Sequence, residues 1–420
     1  FLSGISLSNE VNYMYRRFLA FGHKVFLAAE EWLNKVFSPR FNPMYYLGAI
    51  AFLFTWVVII SGSYLMFIYS ISVEHAYDSL KELNWFNRLM RSLHRYGSDG
   101  AMIALLVHLA REYFNGRYRN WRWVAWVTGV ALIAIYWILG VTGYWMVWDQ
   151  RSQLIARMSA EFLDFIPVFG EPLTRAFLSN DSVTNILFIG VIFLHLSIPT
   201  IALFLLWMHV IRISRPVTTP PREVAIALIA LTIALCIIYP AASVGRADLN
   251  IVAARFGIDW LYLAVFPILV SIPVWLSWLL AFMGVAVLTS LPWLIRSGNP
   301  LKAEVALSNC VGCELCFKDC PYEAISMRKR TDGLPYREEA VVIEKKWASC
   351  GLCVGSCDYH AIELPDRTEE MIREEITALL SQGVKGGSKI LNVACGYGID
   401  MKGLIDHGTR ALKDMPNVKV

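Results

Sequence analysis

The chain has 420 residues, of which 56% are hydrophobic and only 17% charged, against about 25% charged in soluble domains. A formal net charge of +4 says little by itself, nothing supports nucleic-acid binding, and no nucleotide-binding glycine loop is apparent. Nine cysteines, seven of them between 310 and 357, are not spread as in a secreted disulfide framework and point to metal ligation in a reducing compartment.

The sequence opens at FLSG, without Met and without a cleavable signal-peptide pattern, so both ends are expected to be trimmed. Residues 11–37 place Arg16, Arg17 and Lys24 among aromatic and aliphatic residues, which suits either an interfacial amphipathic helix or an ordinary packing helix. A membrane span needs about 20 mostly apolar residues. Six stretches are predicted to span: 44–69, 89–113, 123–148, 183–213, 224–244 and 260–295. The second is the least apolar, holding His94, Arg95 and His108, and is expected to lie buried among the others. Arg111, Arg117, Arg119 and Arg122 fill the connection to the third span. Arg212, Arg215 and Arg222 follow the fourth, and Arg296 and Lys302 the sixth. The opposite loops are longer and mixed in sign, which predicts both chain ends on the cytoplasmic side.

Ionisable residues inside spans are costly and usually functional. His94 and His108 are 14 residues apart in the second span, and His195 and His209 are 14 apart in the fourth. Fourteen residues make nearly four turns and about 21 Å of rise, so each pair shares a helix face. The two helices run parallel, matching His94 to His195 in depth and His108 to His209. Such a pair can clamp two haems, one near each membrane surface. The plain alternative is four buried, hydrogen-bonded histidines. Gly48 and Gly62, and again Gly129 and Gly143, repeat the spacing of 14, which would let a flat macrocycle approach the backbone or simply help helices pack.

On these residues the stretch 40–290 resembles the cytochrome b of respiratory and photosynthetic cytochrome bc complexes. RSLHRYG (91–97) and VHLAREYFNGRY (107–118) look like the segments bearing two haem ligands, and LHLSIPT (194–200) carries the His-x-x-x-Pro of the family through His195 and Pro199. The resemblance implies two haem b groups, a low-potential one on His94 and His195 and a high-potential one on His108 and His209. It also matches Arg91 and Arg111 to positions that pair with haem propionates. It further implies a quinol-oxidising pocket on the outer side, where GIDWLYLAVFPILVSIP (257–273) stands for a Pro-Glu-Trp-Tyr motif. Asp259 would take a quinol proton if burial lifts its pKa toward the working pH, with Trp260 and Tyr262 as the neighbouring wall. The proline is missing, Asp is shorter than Glu, and Leu261 is inserted, so Asp259 capping a helix is the competing role.

After Asn299-Pro300 the composition turns charged. CVGCELCFKDCP (310–321) is a bacterial-type ferredoxin signature, whose three close thiolates wrap one cube while the fourth ligates another. Cys313, Cys316 and Cys320 recur 37 residues later as Cys350, Cys353 and Cys357, and YEAI (322–325) recurs as YHAI (359–362). The counterpart of Cys310 is Trp347. One 4Fe-4S cluster is therefore expected on Cys310, Cys313, Cys316 and Cys357. A second iron–sulfur cluster, either 3Fe-4S or a site-differentiated 4Fe-4S, falls to Cys320, Cys350 and Cys353, unless that half is purely structural. Beyond it, 366–382 reads as an amphipathic helix, and KILNVACGYGIDMKGLIDHGTRALKDMPNVKV reads strand–helix–strand. That tail resembles the delta-subunit domain of methyl-viologen-reducing hydrogenases, which would make Cys395 a ligand; a buried core cysteine is the plainer role.

The expected fold is thus an all-α membrane bundle of six transmembrane helices with a di-haem four-helix core, a small α+β ferredoxin-like cytoplasmic domain and a partial α/β tail. Its segments are 1–40, 41–215, 216–298, 299–365 and 366–420. The function expected is that of a membrane b-type cytochrome subunit of a quinol/quinone oxidoreductase in a prokaryotic plasma membrane, with proton translocation. Its partners would be membrane lipid, quinone, a Rieske-type or other redox subunit and a cytoplasmic redox partner, in a homodimer of a multi-subunit complex. The competing function is a passive anchor and electron conduit linking a cytoplasmic hydrogenase, flavoprotein or heterodisulfide-reductase-like partner to quinone.

Overall fold

The computed structural model describes residues 2–118, 122–167, 171–211, 217–251, 257, 259–294, 302–320, 322–347, 351–365, 368–381, 405–406, 411–412 and 415–419. The chain begins with a long helix, α1 (Leu2–Phe41), broken at Ser38, whose φ of 63° is non-helical. Ser38 precedes Pro39, which disfavours the helical ψ at its predecessor, and the ψ of Ser38 is accordingly 159°. Next come α2 (Leu47–Leu65), α3 (Ala76–Lys81), α4 (Trp85–Phe114), α5 (Trp123–Val147), α6 (Gln150–Leu163), α7 (Asn185–Ile211), α8 (Arg222–Ile238), α9 (Phe266–Ser271) and α10 (Val274–Leu294). In the bundle α2 packs on α4, α5 on α7, and α4 also meets α5 and α8.

Six spans were expected. Among the described residues, four helices are long and apolar enough to cross a membrane: Pro43–Leu65, Trp123–Val147, Asn185–Ile211 and Val274–Leu294. The chain is a multi-pass membrane protein, and the apolar side chains exposed on α7 and α10, among them Phe193, Phe204, Phe282 and Met283, suit lipid rather than water. The other two expected spans are helical but fall short. The helix α4 is 30 residues long and carries Arg88, Arg91, Arg95, Asp99 and Arg111. At 17 residues, α8 covers about 26 Å of a hydrocarbon core of about 30 Å. The apolar run 260–295 is not one helix. Ile272 is extended before Pro273, which separates α9 from α10, and residues 261–266 fold back onto α4, α5 and α6 instead.

The loops at one end of the bundle are stitched together. Trp148 ends α5 in the left-handed conformation, and Asp149 then caps α6 through a capping box with Ser152. The second carboxylate oxygen of Asp149 accepts the Val244 N–H at 3.1 Å, and Gln150 N–H donates to the Gly245 carbonyl at 2.8 Å. The surface helix α6 is thereby fixed to the loop after α8.

The C-terminal module holds β1 (Glu304–Val305), α11 (Leu315–Asp319), β2 (Ile325–Lys329), β3 (Glu338–Val342), α12 (Leu352–Gly355) and β4 (Ile362–Glu363). β1 pairs antiparallel with β4, and β2 with β3. Its ten buried core residues are five pairs, each 37 apart: Ala303 and Ala340, Cys310 and Trp347, Cys316 and Cys353, Ala324 and Ala361, Ile325 and Ile362. The left-handed residues repeat in the same way, Glu314 with Gly351 and Glu323 with His360. The repeat is therefore a repeat of backbone and core as well as of letters. Helix α13 (Glu369–Ser381) follows. In the tail, the described stretches β5 (Ile405–Asp406), β6 (Ala411–Leu412) and β7 (Met415–Lys419) pair antiparallel, where a helix between two strands was expected.

Candidate cofactor sites

The two parallel histidine-bearing helices bring His94 and His195 together, with ring centroids 6.4 Å apart and planes at 61°. Two imidazoles on opposite sides of one metal ion need about 2 Å from each nitrogen to the metal and about 1 Å from nitrogen to ring centre, roughly 6 Å in all. The gap fits a bis-imidazole iron. At the other depth His209 lies within electrostatic reach of His108. Each ring faces one of the four spaced glycines. A Cβ on Gly62 would stand 2.7 Å from His94 Cε1; on Gly129, 3.3 Å from His209 Cε1; on Gly143, 3.3 Å from His195 Cε1; on Gly48, 3.5 Å from His108 Cε1.

Three hydroxyls that sequence reasoning passed over hold the rings from behind. Thr142 Oγ1 lies 2.9 Å from His195 Nδ1, Thr128 Oγ1 3.1 Å from His209 Nδ1, and Ser61 Oγ 3.3 Å from His94 Nδ1. The Val58 carbonyl lies 3.0 Å from His94 Nδ1 as well. Occupying Nδ1 leaves Nε2 for a metal, the usual division of labour on a ligating histidine. The signal was in the text: Ser61-Gly62, Thr128-Gly129 and Thr142-Gly143 repeat a hydroxyl before each of those glycines. Pro199, four residues after His195 in α7, removes the N–H that would bond the His195 carbonyl.

The two arginines are held by protein groups. Arg91 donates to the Leu80 carbonyl and to Ser243 Oγ, each at 2.8 Å. Arg111 Nε donates to Glu30 Oε1 of α1 at 2.7 Å in a buried ion pair. A propionate at either position would share the guanidinium with these partners.

The side chain of Asp259 is 5% exposed and has four partners. One oxygen accepts the N–H groups of Leu261 at 2.6 Å and Tyr262 at 2.7 Å, so it caps the turn that follows. The other accepts the Tyr144 hydroxyl at 2.7 Å and pairs with Arg95, which also pairs with Asp99. Burial pushes the Asp259 carboxyl up, but Arg95, Tyr144 and the two backbone N–H groups outweigh it and hold the carboxyl below the ordinary aspartate range. The expected lift toward the working pH is not met. Trp260 is 72% exposed, whereas Tyr262 is 1% exposed and bonds Ser98 Oγ at 2.7 Å. Tyr262 fits because Gly140 has no side chain there: a Cβ would stand 2.2 Å from its ring. Only Asp259 of the three therefore combines burial with a charged network, and Arg95, Asp99 and Tyr144 belong to it.

In the module, Cys310, Cys313, Cys316 and Cys357 open on one cavity, shared with Met327 and Tyr359. Burial and the neighbouring thiols of Cys357, Cys313 and Cys310 push the Cys316 thiol up to about 12, a sign of how closely the four converge. Backbone N–H groups already point at two sulfurs: Ala324 to Cys320 Sγ at 3.3 Å and Ala361 to Cys357 Sγ at 3.2 Å. Among the described residues no group of three or more His, Cys, Asp or Glu could hold a single metal ion. A cube asks for something different, four thiolates spread around a cluster, and four cysteines line this one cavity. Trp347 is 4% exposed within the module core, at the place matching Cys310. Cys320 and Cys353 are described, whereas Cys350 and Cys395 lie outside the described residues. Arg330, which the motifs did not flag, donates to the carbonyls of Leu307 and Cys310 and pairs with Asp332, bracing the loop that bears the first cysteines.

A helical membrane bundle with two tiers of facing histidines is the class that fold and site define. Comparison with known families agrees: residues 32–216 match the model of the family described as cytochrome b/b6/petB, so the chain carries a cytochrome b/b6 family domain there. A solved structure described as "Hyperthermophilic respiratory Complex III" is similar at 20% identity over 60% of this chain and 76% of that one, with a TM-score of 0.48.

Proposed function

We propose that this chain is the b-type cytochrome subunit of a quinol/quinone oxidoreductase, with haem b on His94 and His195, a second haem b on His108 and His209, and iron–sulfur clusters in the module. What supports it above all is the pair His94 and His195, at the separation two axial imidazoles require, inside a cytochrome b/b6 family domain. When bound, each haem would accept and pass on one electron. The chain's own residues supply the rest. Ser61, Thr128 and Thr142 orient imidazoles, and the glycines give them room. Asp259, held ionised with both oxygens already bonded, would serve as base for a quinol proton on the outer side by giving up a partner such as Tyr144. Four thiols around one cavity would hold a 4Fe-4S cluster, and Cys320, Cys350 and Cys353 the second. The module and both termini would be cytoplasmic, in a homodimeric assembly that includes a Rieske-type or other redox subunit and couples to proton translocation.

One observation favours the conduit reading, in which a cytoplasmic donor reduces quinone through the module. The guanidinium of Arg122, at the start of α5, lies 5.7 Å from the ring centre of Tyr322, two residues after Cys320. The module is thus in contact with the helix that carries Gly129 and Thr128.

Quinol-driven haem reduction in the Asp259→Asn variant separates the two. Loss of a positioned base costs about 10²–10⁴-fold, so the first reading expects at least a hundredfold fall, with reduction by a reduced soluble ferredoxin untouched. An unchanged quinol-driven rate sinks Asp259 as the base and leaves the conduit. The pH profile carries a second check. Because the folded carboxyl lies below its ordinary value of about 3.9, the ion pair stabilises above that value and is lost only as pH falls through the folded pKa. No inflection from Asp259 is expected between about pH 5 and 8.

A further inference from the structure

Ser61, Thr128 and Thr142 share one geometry. Each donates its own hydroxyl proton to the carbonyl four residues back: Ser61 to Val57 at 2.6 Å, Thr128 to Val124 at 2.7 Å, Thr142 to Ile138 at 3.0 Å. A hydroxyl committed in that way presents lone pairs to the imidazole, and the carbonyls of Val58, Leu139 and Ala125, which can only accept, also bond His94, His195 and His209, so Nδ1 is the donor and carries the hydrogen. The tautomer of His94, His209 and His195 is thereby set. An acceptor at Nδ1–H also draws the ring toward imidazolate character and makes Nε2 a stronger donor to a metal. The fourth position differs. Leu47 precedes Gly48, the glycine facing His108, and its side chain offers no acceptor. Among the described residues no other hydroxyl or carbonyl takes its place.

We propose that the residue before each of these glycines tunes the iron bound by the opposite imidazole, and that Leu47 leaves His108 the weakest of the four donors. A weaker axial donor stabilises the ferric form less and raises the reduction potential. The inference rests on the functional assignment above, since it needs haem on these histidines. Leu47, Ser61, Thr128 and Thr142 would be positioning residues, acting through the ligands without touching iron.

Potentiometric titration of the purified complex, read at the haem absorbance and by the low-spin ferric resonance signals, tests it. Leu47→Thr should lower one midpoint and leave the other in place. Thr142→Val, nearly isosteric, should raise the other midpoint and leave the first. Thr128→Val should raise the midpoint that Leu47→Thr lowers, which keeps the test alive if Thr at 47 fails to fold. The expected size is on the order of tenfold in the reduction equilibrium, 59 mV for one electron. Midpoints that ignore all three substitutions, at wild-type haem content, overturn this inference and leave the functional assignment intact. A chain with no low-spin bis-imidazole signal sinks both together.

Discussion

At Gly62 a single methyl group decides whether His94 keeps its place. The added Cβ would sit 2.7 Å from the imidazole, closer than side chains approach, whereas at Gly48 the same change meets His108 at 3.5 Å, an ordinary contact. Gly62→Ala is therefore expected to cost the protein about half its haem through overpacking, while Gly48→Ala keeps both groups. Haem per chain by the pyridine assay, with the bis-imidazole spectrum, measures the difference. What was legible at this scale was spacing: the histidines and glycines 14 apart identify themselves in the sequence. What each glycine faces was not, because a missing side chain says nothing about which neighbour fills the space. The hydroxyls behind the rings were hidden for a similar reason, since Ser and Thr inside apolar helices usually satisfy their own backbone. Asp259 shows the opposite failure. Its burial was foreseeable, but its charge state was decided by Arg95, 164 residues away in sequence.

Among the elements, the repeat in the module was the most legible, because its cysteines, its core residues and its left-handed turns all recur 37 apart. The five core pairs 37 apart place Trp347 where the other half buries Cys310. Arg330 escaped notice because bracing carbonyls carries no spacing signature. Arg330→Ala is expected to release the loop at Leu307–Cys310 and to lose about four irons per chain, one cube. Iron and sulfide analysis checks it, and unchanged content would make the brace dispensable. The membrane helices were read less well. Hydropathy merged α9 and α10 into one span because Ile272 and Pro273 are as apolar as their surroundings. Only the restriction that proline places on its predecessor reveals the break. The helix α4 was expected despite its charge, and its arginines are spent on Leu80, Asp99, Asp259 and Glu30.

For the molecule as a whole, the contact of Arg122 with Tyr322 joins two parts that the sequence could only list in order. Tyr322→Leu should leave haem and iron contents unchanged and slow haem reduction by a soluble cytoplasmic donor several-fold, with quinol-driven reduction unaffected. Stopped-flow absorbance separates the two, and equal slowing of both would mean a general packing defect instead of a broken bridge. The spacing of 14 residues within α4 and α7 reaches further still. It sets the two histidine tiers about 21 Å apart along the helix axis, and haems held there would be separated by some two-thirds of a hydrocarbon core of about 30 Å. An electron passing between haems held at these two tiers would be a current across the bilayer. Each transfer would gain or lose about 1.6 kcal/mol for every 100 mV of membrane voltage, so the energised state of the cell would itself throttle or drive the step.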